Sequence, residues 1–377
     1  MSALGVYVHW PYCATICPYC DFNVFRARDH DPAPLIAAIV ADMAEHAARF
    51  EKRNAVSLFL GGGTPSLLRG AELARLIEGA ERAFGLSAEC EITLECNPED
   101  APLFAEQAAA GVNRFSIGAQ AFDDASLRAL GRRHDAASAF TSVAAAARTG
   151  KRVSLDLIYA REAQNPERWR AELEQALALP VEHLSLYQLT IEPDTAFARR
   201  AARGQLRQPS TDEAAALYEL TQSICDAHGF TGYEISNHAR DAAARSRHNL
   251  LYWRGENWIG VGPGAHGRIT HAGARIATEA QRRPRDYIDA VREHGVGWLI
   301  EERLNPEQEA DEALLMGLRI DEGFDVARVE ALRGRPLNAA ARGWLAREAL
   351  ILDDGARIRL SAKGRLLANA VAAELAS

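Results

Sequence analysis

No run of apolar residues in this chain approaches the roughly 18 that a helix needs to cross a bilayer. The start, Met1-Ser2-Ala3-Leu4-Gly5, has neither a basic segment nor an apolar one, so no secretory leader is expected. Net positive charge is lacking as well: 43 Lys and Arg stand against 51 Asp and Glu, a balance of −8. Such a chain has no general attraction to nucleic acid or to an anionic membrane, which leaves only a local basic patch for either role. Cysteine is scarce. Six in 377 residues are too few for a disulfide scaffold. Free thiolates and a metal suit a reducing cytoplasm, and that is the expected compartment. With 48% hydrophobic and 25% charged residues, the composition excludes a disordered chain, a collagen and a coiled coil. The length suits two or three domains, or one large α/β barrel with an appendage.

What is present is alternation. Strand-like segments at 6–10, 56–60, 91–95, 114–118, 153–158 and 183–187 are separated by helix-like ones at 34–49, 70–84, 102–110, 123–149 and 166–179. That order is the mark of a parallel α/β sheet or barrel. Six β/α units are complete by about residue 190, whereas the usual eight take roughly 250 residues. A partial (β/α)6 barrel, open on one side, is therefore expected over 1–210. Residues 211–300 read as a connecting region, with a helix at 211–228 and then a stretch rich in Gly, Asn, His and Trp. Asn305-Pro306 marks the next boundary. Residues 301–377 read as a C-terminal helical, winged-helix-like domain, with a hairpin around Asp353-Asp354-Gly355 as the wing. It has no obvious basic recognition helix, so packing against protein is expected rather than DNA binding.

The strongest chemical signal follows the first strand. Cys13, Cys17 and Cys20 form a C-x3-C-x2-C motif. Thiolates are the usual ligands of iron–sulfur clusters, and a four-iron cluster normally takes four. Three leave one iron open to a small molecule. A zinc site, with His9 as fourth ligand, is the alternative. Cys90, Cys96 and Cys225 are scattered and read as small buried hydrophobes.

This motif, with Tyr19 just before the last cysteine, resembles that of the radical S-adenosylmethionine (SAM) superfamily. The resemblance implies a [4Fe–4S] cluster whose open iron binds SAM, reductive cleavage of SAM to a 5′-deoxyadenosyl radical, and a partial (β/α)6 barrel. Tyr7-Val-His-Trp-Pro-Tyr-Cys13, Gly61-Gly62-Gly63-Thr64-Pro65, Glu95-Cys-Asn-Pro98, Phe115-Ser-Ile-Gly-Ala-Gln120, Arg132 and Asp156-Leu-Ile-Tyr159 resemble the oxygen-independent coproporphyrinogen III dehydrogenase group. Within it, His248-Asn249-Leu-Leu-Tyr252-Trp253 is similar to the signature of the HemW-type heme chaperones. The resemblance implies SAM contacts from Tyr7, Tyr19, Gly62, Gly63, Thr64, Glu95, Gln120, Arg132 and Asp156. Glycines after the second strand would let backbone approach SAM, although a plain turn fits as well. Glu95 could accept from a ribose hydroxyl or simply be exposed at a strand end. Arg132 could pair with the SAM carboxylate, while Arg133 reads as a surface charge. Asp156 sits in an apolar strand and needs a partner, either a ligand hydroxyl or an internal salt bridge.

The departures are informative. The dehydrogenases carry a fourth cysteine where this chain has Phe22, and they extend well ahead of the cluster motif, whereas 12 residues precede Cys13 here. Both differences favour a heme chaperone that hands heme to an acceptor haemoprotein, as monomer or homodimer. Oxidative decarboxylation of coproporphyrinogen III is the other reading. After Tyr159 the family usually reads Gly-Leu-Pro, and here Ala160-Arg161-Glu162 follows. His248 is the first candidate for heme ligation, since imidazole is a common axial ligand. A hydrogen-bonded core histidine is the alternative, and His266 is a weaker ligand candidate. Gly260-Val-Gly-Pro-Gly264 lacks the Lys-Ser/Thr of a phosphate loop and reads as a turn.

Overall fold

The computed structural model describes residues 3–27, 31–50 and 53–376. Met1 and Ser2, part of the start in which no leader is expected, lie outside them. Six parallel strands run in sequence order: β1 (Leu4–Trp10), β2 (Ala55–Gly62), β3 (Leu86–Cys96), β4 (Arg114–Gln120), β5 (Arg152–Tyr159) and β6 (His183–Gln188). Helices α1 (Ala33–Arg49), α2 (Gly70–Phe84), α3 (Phe104–Ala109), α4 (Asp124–Ala129), α5 (Ala136–Arg148) and α6 (Pro166–Leu177) connect them. The expected partial barrel is thus present. Leu73, Leu76, Ile77 and Ala80 of α2 are buried, as their helical spacing requires.

Strand periodicity sorts the barrel into two faces. Val6, Val8, Leu58, Leu60, Leu94, Ile117, Leu155 and Leu184 all belong to the main hydrophobic core. The alternate positions are polar: Glu91, Thr93, Arg114, Ser116, Ser154, His183 and Ser185 are buried without being apolar. A polar inner face is costly unless each group finds a partner. All of these groups but Thr93, whose hydroxyl makes no hydrogen bond among the described residues, find partners, and the site is built among them.

The sheet is larger than the sequence suggests. Helices α7 (Ala196–Ala202) and α8 (Thr211–Ala227) follow β6. Short strands β7 (Thr231–Gly232) and β8 (Asn237–Ala239) then extend the β6 edge. After α9 (Arg247–Trp253), β9 (Asn257–Val261) returns to pair parallel with β1. Antiparallel β10 (His266–His271), β11 (Ala274–Ala280) and β12 (Trp298–Arg303) complete a 12-stranded sheet. Part of the stretch that reads as a glycine-rich turn is therefore a seventh parallel strand. Its glycines are steric requirements: a Cβ on Gly260 would run into the carbonyl of His266, and one on Gly262 into that of His9.

Helix α10 (Pro284–His294) packs on α1. Beyond it, α11 (Pro306–Gly317) starts at Asn305, whose side chain accepts from the Gln308 amide while Gln308 answers, a reciprocal cap. Helices α12 (Val326–Arg333) and α13 (Ala339–Arg347), a hairpin of Ile351–Asp353 with Arg357–Leu360, and a last helix Ala368–Ala376 share a separate apolar core. No helix among the described residues is long and apolar enough to cross a membrane.

Candidate functional site

A cavity of about 360 Å³ lies at the carboxyl ends of β2 to β6, the face where barrels gather their chemistry. Its walls include Cys13, Cys17 and Cys20, and also Tyr19, Gly62, Gly63, Thr64, Glu95, Gln120, Arg132 and Asp156. One face thus collects every sequence-predicted cluster or SAM residue but one. The exception is Tyr7. It points with His9 to the inner side of β1 and lines a second cavity instead.

The cluster segment leaves β1 and is held by backbone. Phe25 and Ala27 N–H donate to Pro11 and Cys13 carbonyls, and Gly63 and Thr64 N–H to those of Trp10 and Tyr12. A Cβ on Gly63 would stand 2.7 Å from the Trp10 oxygen. That glycine therefore serves the approach of two chain segments. Gly62, at φ +99°, has no room for a Cβ beside the His9 ring, and its N–H already donates to Glu95 at 2.9 Å. Thr64 is buried, and its hydroxyl contacts Asn97 and the Cys13 thiol.

Arg132 donates to the Cys17 sulfur at 3.5 Å, to Asn97 Oδ1 at 2.6 Å and to the Gly118 carbonyl at 2.9 Å. A guanidinium beside the thiols offsets negative charge there, and its five donors are not all used. Burial pushes the Cys20 thiol up to about 11 and also raises that of Cys13. Neutral thiols are thus favoured until something positive binds. Among the described residues, no three Cys, His, Asp or Glu side chains converge as a single metal ion requires. That spacing argues against zinc. Three cysteines spread around one cavity fit a multi-iron cluster, in which each thiolate meets a different iron. His9 is no fourth ligand, because Tyr7 Oη at 3.0 Å and the Asn23 carbonyl at 2.9 Å engage both its ring nitrogens.

Two carboxylates stand in the barrel interior. Glu95 is pushed up to about 7, first by burial and then by Asp156 nearby, against the Gly62 N–H. Asp156 is also raised by burial, and it accepts from Ser116 at 3.2 Å and from Ser185. No guanidinium forms a salt bridge with it among the described residues, so the hydroxyl partners win over the ion-pair reading. Gln120 has φ +67°, a left-handed backbone at the cavity wall, and Gly118 leaves room for its amide. Arg133 is exposed, and Cys90, Cys96 and Cys225 are buried.

The loop after β5 explains a departure. Ala160 has φ +57°, the conformation that glycine adopts freely. Arg161 then folds inward onto Glu172 at 2.6 Å and onto the Ile158 and Gln120 carbonyls. The substituted loop is thereby anchored to the same strand ends.

The second cavity, about 750 Å³, shares Asp21, Phe22, Glu95, Ser116, Asp156 and Tyr187 with the first. Tyr7, Phe59, Tyr252, Trp253 and Trp258 line its remaining walls together with three histidines, Arg114 and Arg282. His248, on α9, is 1% exposed, and Phe59 stacks on it at 5.0 Å. Its Nδ1 meets Ser57 Oγ at 2.9 Å and its Nε2 meets Tyr252 Oη at 2.7 Å. Burial lowers it to about 3, so the ring is neutral. As the chain stands, neither nitrogen is free for iron, and the core reading of this histidine describes its contacts. Sequence reasoning missed Ser116, Ser185, Asn97 and Tyr187. Polar residues alternating inside buried strands were the signal for the two serines.

Residues 7–176 match the family model of the Radical SAM superfamily, and residues 304–367 match that of the HemN C-terminal domain. Fold and site together define a radical SAM architecture. The chain is 34% identical over 376 residues to the heme chaperone HemW of Bacillus subtilis (strain 168), covering 97% of both chains. It is 37% identical over 327 residues to the mitochondrial radical S-adenosyl methionine domain-containing protein 1 of Danio rerio, which is 85% of this chain and 73% of that one. The solved structure of coproporphyrinogen III oxidase (HemN) from Escherichia coli superposes with a TM-score of 0.82, covering 100% of this chain and 90% of that one. Its identity is 23%, so that likeness is one of fold. The chain belongs to the HemW family of radical SAM proteins. Membership implies a [4Fe–4S] cluster and SAM.

Proposed function

We propose that this chain binds heme in the second cavity and passes it to an acceptor haemoprotein in the cytoplasm. Cys13, Cys17 and Cys20 would hold the cluster, with SAM beside it in the first cavity. The observation that carries the reading is the pair of adjoining cavities. One is lined by three thiols and polar strand ends, the other by aromatic rings, and six residues are common to both. When bound, the cluster supplies an electron-transfer centre and an iron open to the SAM amino and carboxylate groups. The chain's own residues do the rest. Arg132 stands by Cys17 with donors left for a carboxylate. Glu95 and Asp156 offer acceptors to ribose hydroxyls, while Gln120 and Tyr19 complete the wall. Gly62, Gly63 and Thr64 fix its floor.

Heme is flat, apolar at its faces and acidic at its edge. The second cavity fits that chemistry, with aromatic walls, Arg282 at its lining and a Trp253 indole N–H that finds no acceptor among the described residues. Occupancy of the first cavity reaches the second through the shared wall of Glu95, Asp156 and Phe22, and so gates heme release. Phe22, 60% exposed, stands where the dehydrogenases have a cysteine, which weighs against their reaction.

The test is anaerobic. Cluster-loaded protein with SAM is given heme and an apo-haemoprotein, and in parallel coproporphyrinogen III with a reductant. Saturable heme uptake and transfer, with no porphyrinogen turnover, is expected. Many-turnover formation of protoporphyrinogen would replace the chaperone reading with the dehydrogenase. Equal transfer by a variant with all three cysteines changed to serine would end the gating idea.

A further inference from the structure

Three imidazoles line the second cavity: His9, His248 and His266. A heme iron needs a ring nitrogen with a free lone pair. His9 spends both nitrogens on Tyr7 and Asn23, and His248 spends both on Ser57 and Tyr252. Both rings are buried in a packed wall, so turning either toward iron would break two hydrogen bonds at once. His266 differs on each count. It opens β10 and is exposed, and its ring makes no hydrogen bond among the described residues. Its backbone is fixed nonetheless: its carbonyl accepts from Trp258 Nε1 at 3.1 Å, and the strand pairs it with Glu279.

We propose that His266 is the axial ligand of heme in this cavity, and that His248 is a positioning residue which shapes the wall. The assignment rests on the heme reading given above. Glu279, opposite His266 in register, pairs with Arg282 at 2.8 Å, and Arg282 lines the cavity too. An imidazole at the rim would take the iron while a guanidinium beside it meets a propionate. The aromatic wall of Tyr252 and Trp258, with rings 4.7 Å apart, would cover the porphyrin face. A rim ligand also suits a protein that must give its cargo away, since an exposed imidazole can be exchanged for an acceptor's ligand without opening the barrel.

The probe is ferric heme added to cluster-loaded protein. Binding is followed by Soret titration, and the axial ligand by electron paramagnetic resonance with ¹⁵N-histidine labelling. His266→Ala is expected to lose the imidazole signature and weaken binding by roughly tenfold or more, with added imidazole restoring the ligand field. His248→Gln, which retains hydrogen-bonding groups for Ser57 and Tyr252, is expected to keep the signature. An unchanged signature in His266→Ala, or its loss in a folded His248→Gln, overturns the assignment while leaving heme binding intact. Failure of the unaltered chain to bind heme at all overturns the heme reading and the assignment together.

Discussion

Ala160 stores strain in a backbone conformation that glycine adopts freely. A left-handed backbone costs an L-residue about 1–2 kcal/mol, and the flexibility of glycine returns up to roughly 1 kcal/mol of that. Ala160→Gly is therefore expected to raise stability by about 0.5 kcal/mol, read as a higher denaturant midpoint with unchanged slope. Glu95 makes the opposite kind of statement. Its folded value of about 7 lies above the ordinary 4.5, so the folded chain holds this proton more tightly than the unfolded chain does. The stability it contributes is complete below 4.5 and is lost as pH rises through about 7. Urea unfolding of the cluster-free protein between pH 5 and 8 should show stability falling with pH, and the fall should shrink in Glu95→Gln. Equal slopes in the two proteins would show that burial does not govern this carboxyl. His248→Ala removes a buried ring and strands Ser57 and Tyr252, with an expected cost of about 2–4 kcal/mol. Differential scanning calorimetry reads it as a lowered Tm.

At the scale of elements, the cluster segment is stapled from both sides. Gly63 lets it lie on the end of β2, and Asn23 ties it to the turn after β9 through the Pro263 carbonyl at 2.9 Å and to the turn after β11 through the Arg282 carbonyl at 2.7 Å. Backbone atoms cannot yield as side chains do, so Gly63→Ala should displace the cysteines. Iron content and visible cluster absorbance after reconstitution should both drop. Gly343→Ala, in the C-terminal unit with only the flexible end of Arg347 near by at 3.4 Å, should leave both at their normal level. The same crowding explains why β9 is hard to read in the sequence. A five-residue strand that contains Gly260 and runs into Gly262 and Gly264 looks like a turn until the strands beside it are in place, because the need for glycine there comes from neighbours distant in the chain. Strands β1 to β6 were legible because each is an apolar run bounded by helical periodicity. The polar inner face was legible only as scattered serines and charges inside those runs.

At the scale of the molecule, the C-terminal unit is fastened by ion pairs to the segments that follow the six-stranded barrel. Glu234 is fully buried and takes Arg319 at 2.6 Å. Arg245 meets Asp321 at 2.7 Å, and Arg268 meets Glu312 at 2.8 Å. Met316 of α11 lines the second cavity, so this docking also shapes the proposed heme site. Arg319→Ala leaves a buried carboxylate with only Ser236 and Asn237 as donors, and is expected to cost about 2–3 kcal/mol. If the docking shapes the cavity, heme affinity should fall with it. Unchanged heme titration in a destabilised Arg319→Ala would separate the two.

The sequence by itself determined the barrel, the order of its six strands, the three cysteines that line one cavity and the face on which the SAM candidates meet. Local periodicity and short spacings carry that information, and they do not depend on distant contacts. Only the tertiary structure decided how the second cavity is closed and what its histidines are free to do. His9, His248 and His266 are alike as letters. Tyr7 and Tyr252 take one nitrogen each from the same strand and the same helix, and Ser57 and Asn23 take the others from segments that only folding brings alongside. A nitrogen already hydrogen-bonded in a packed wall is a structural group, and one left open at the rim is chemistry.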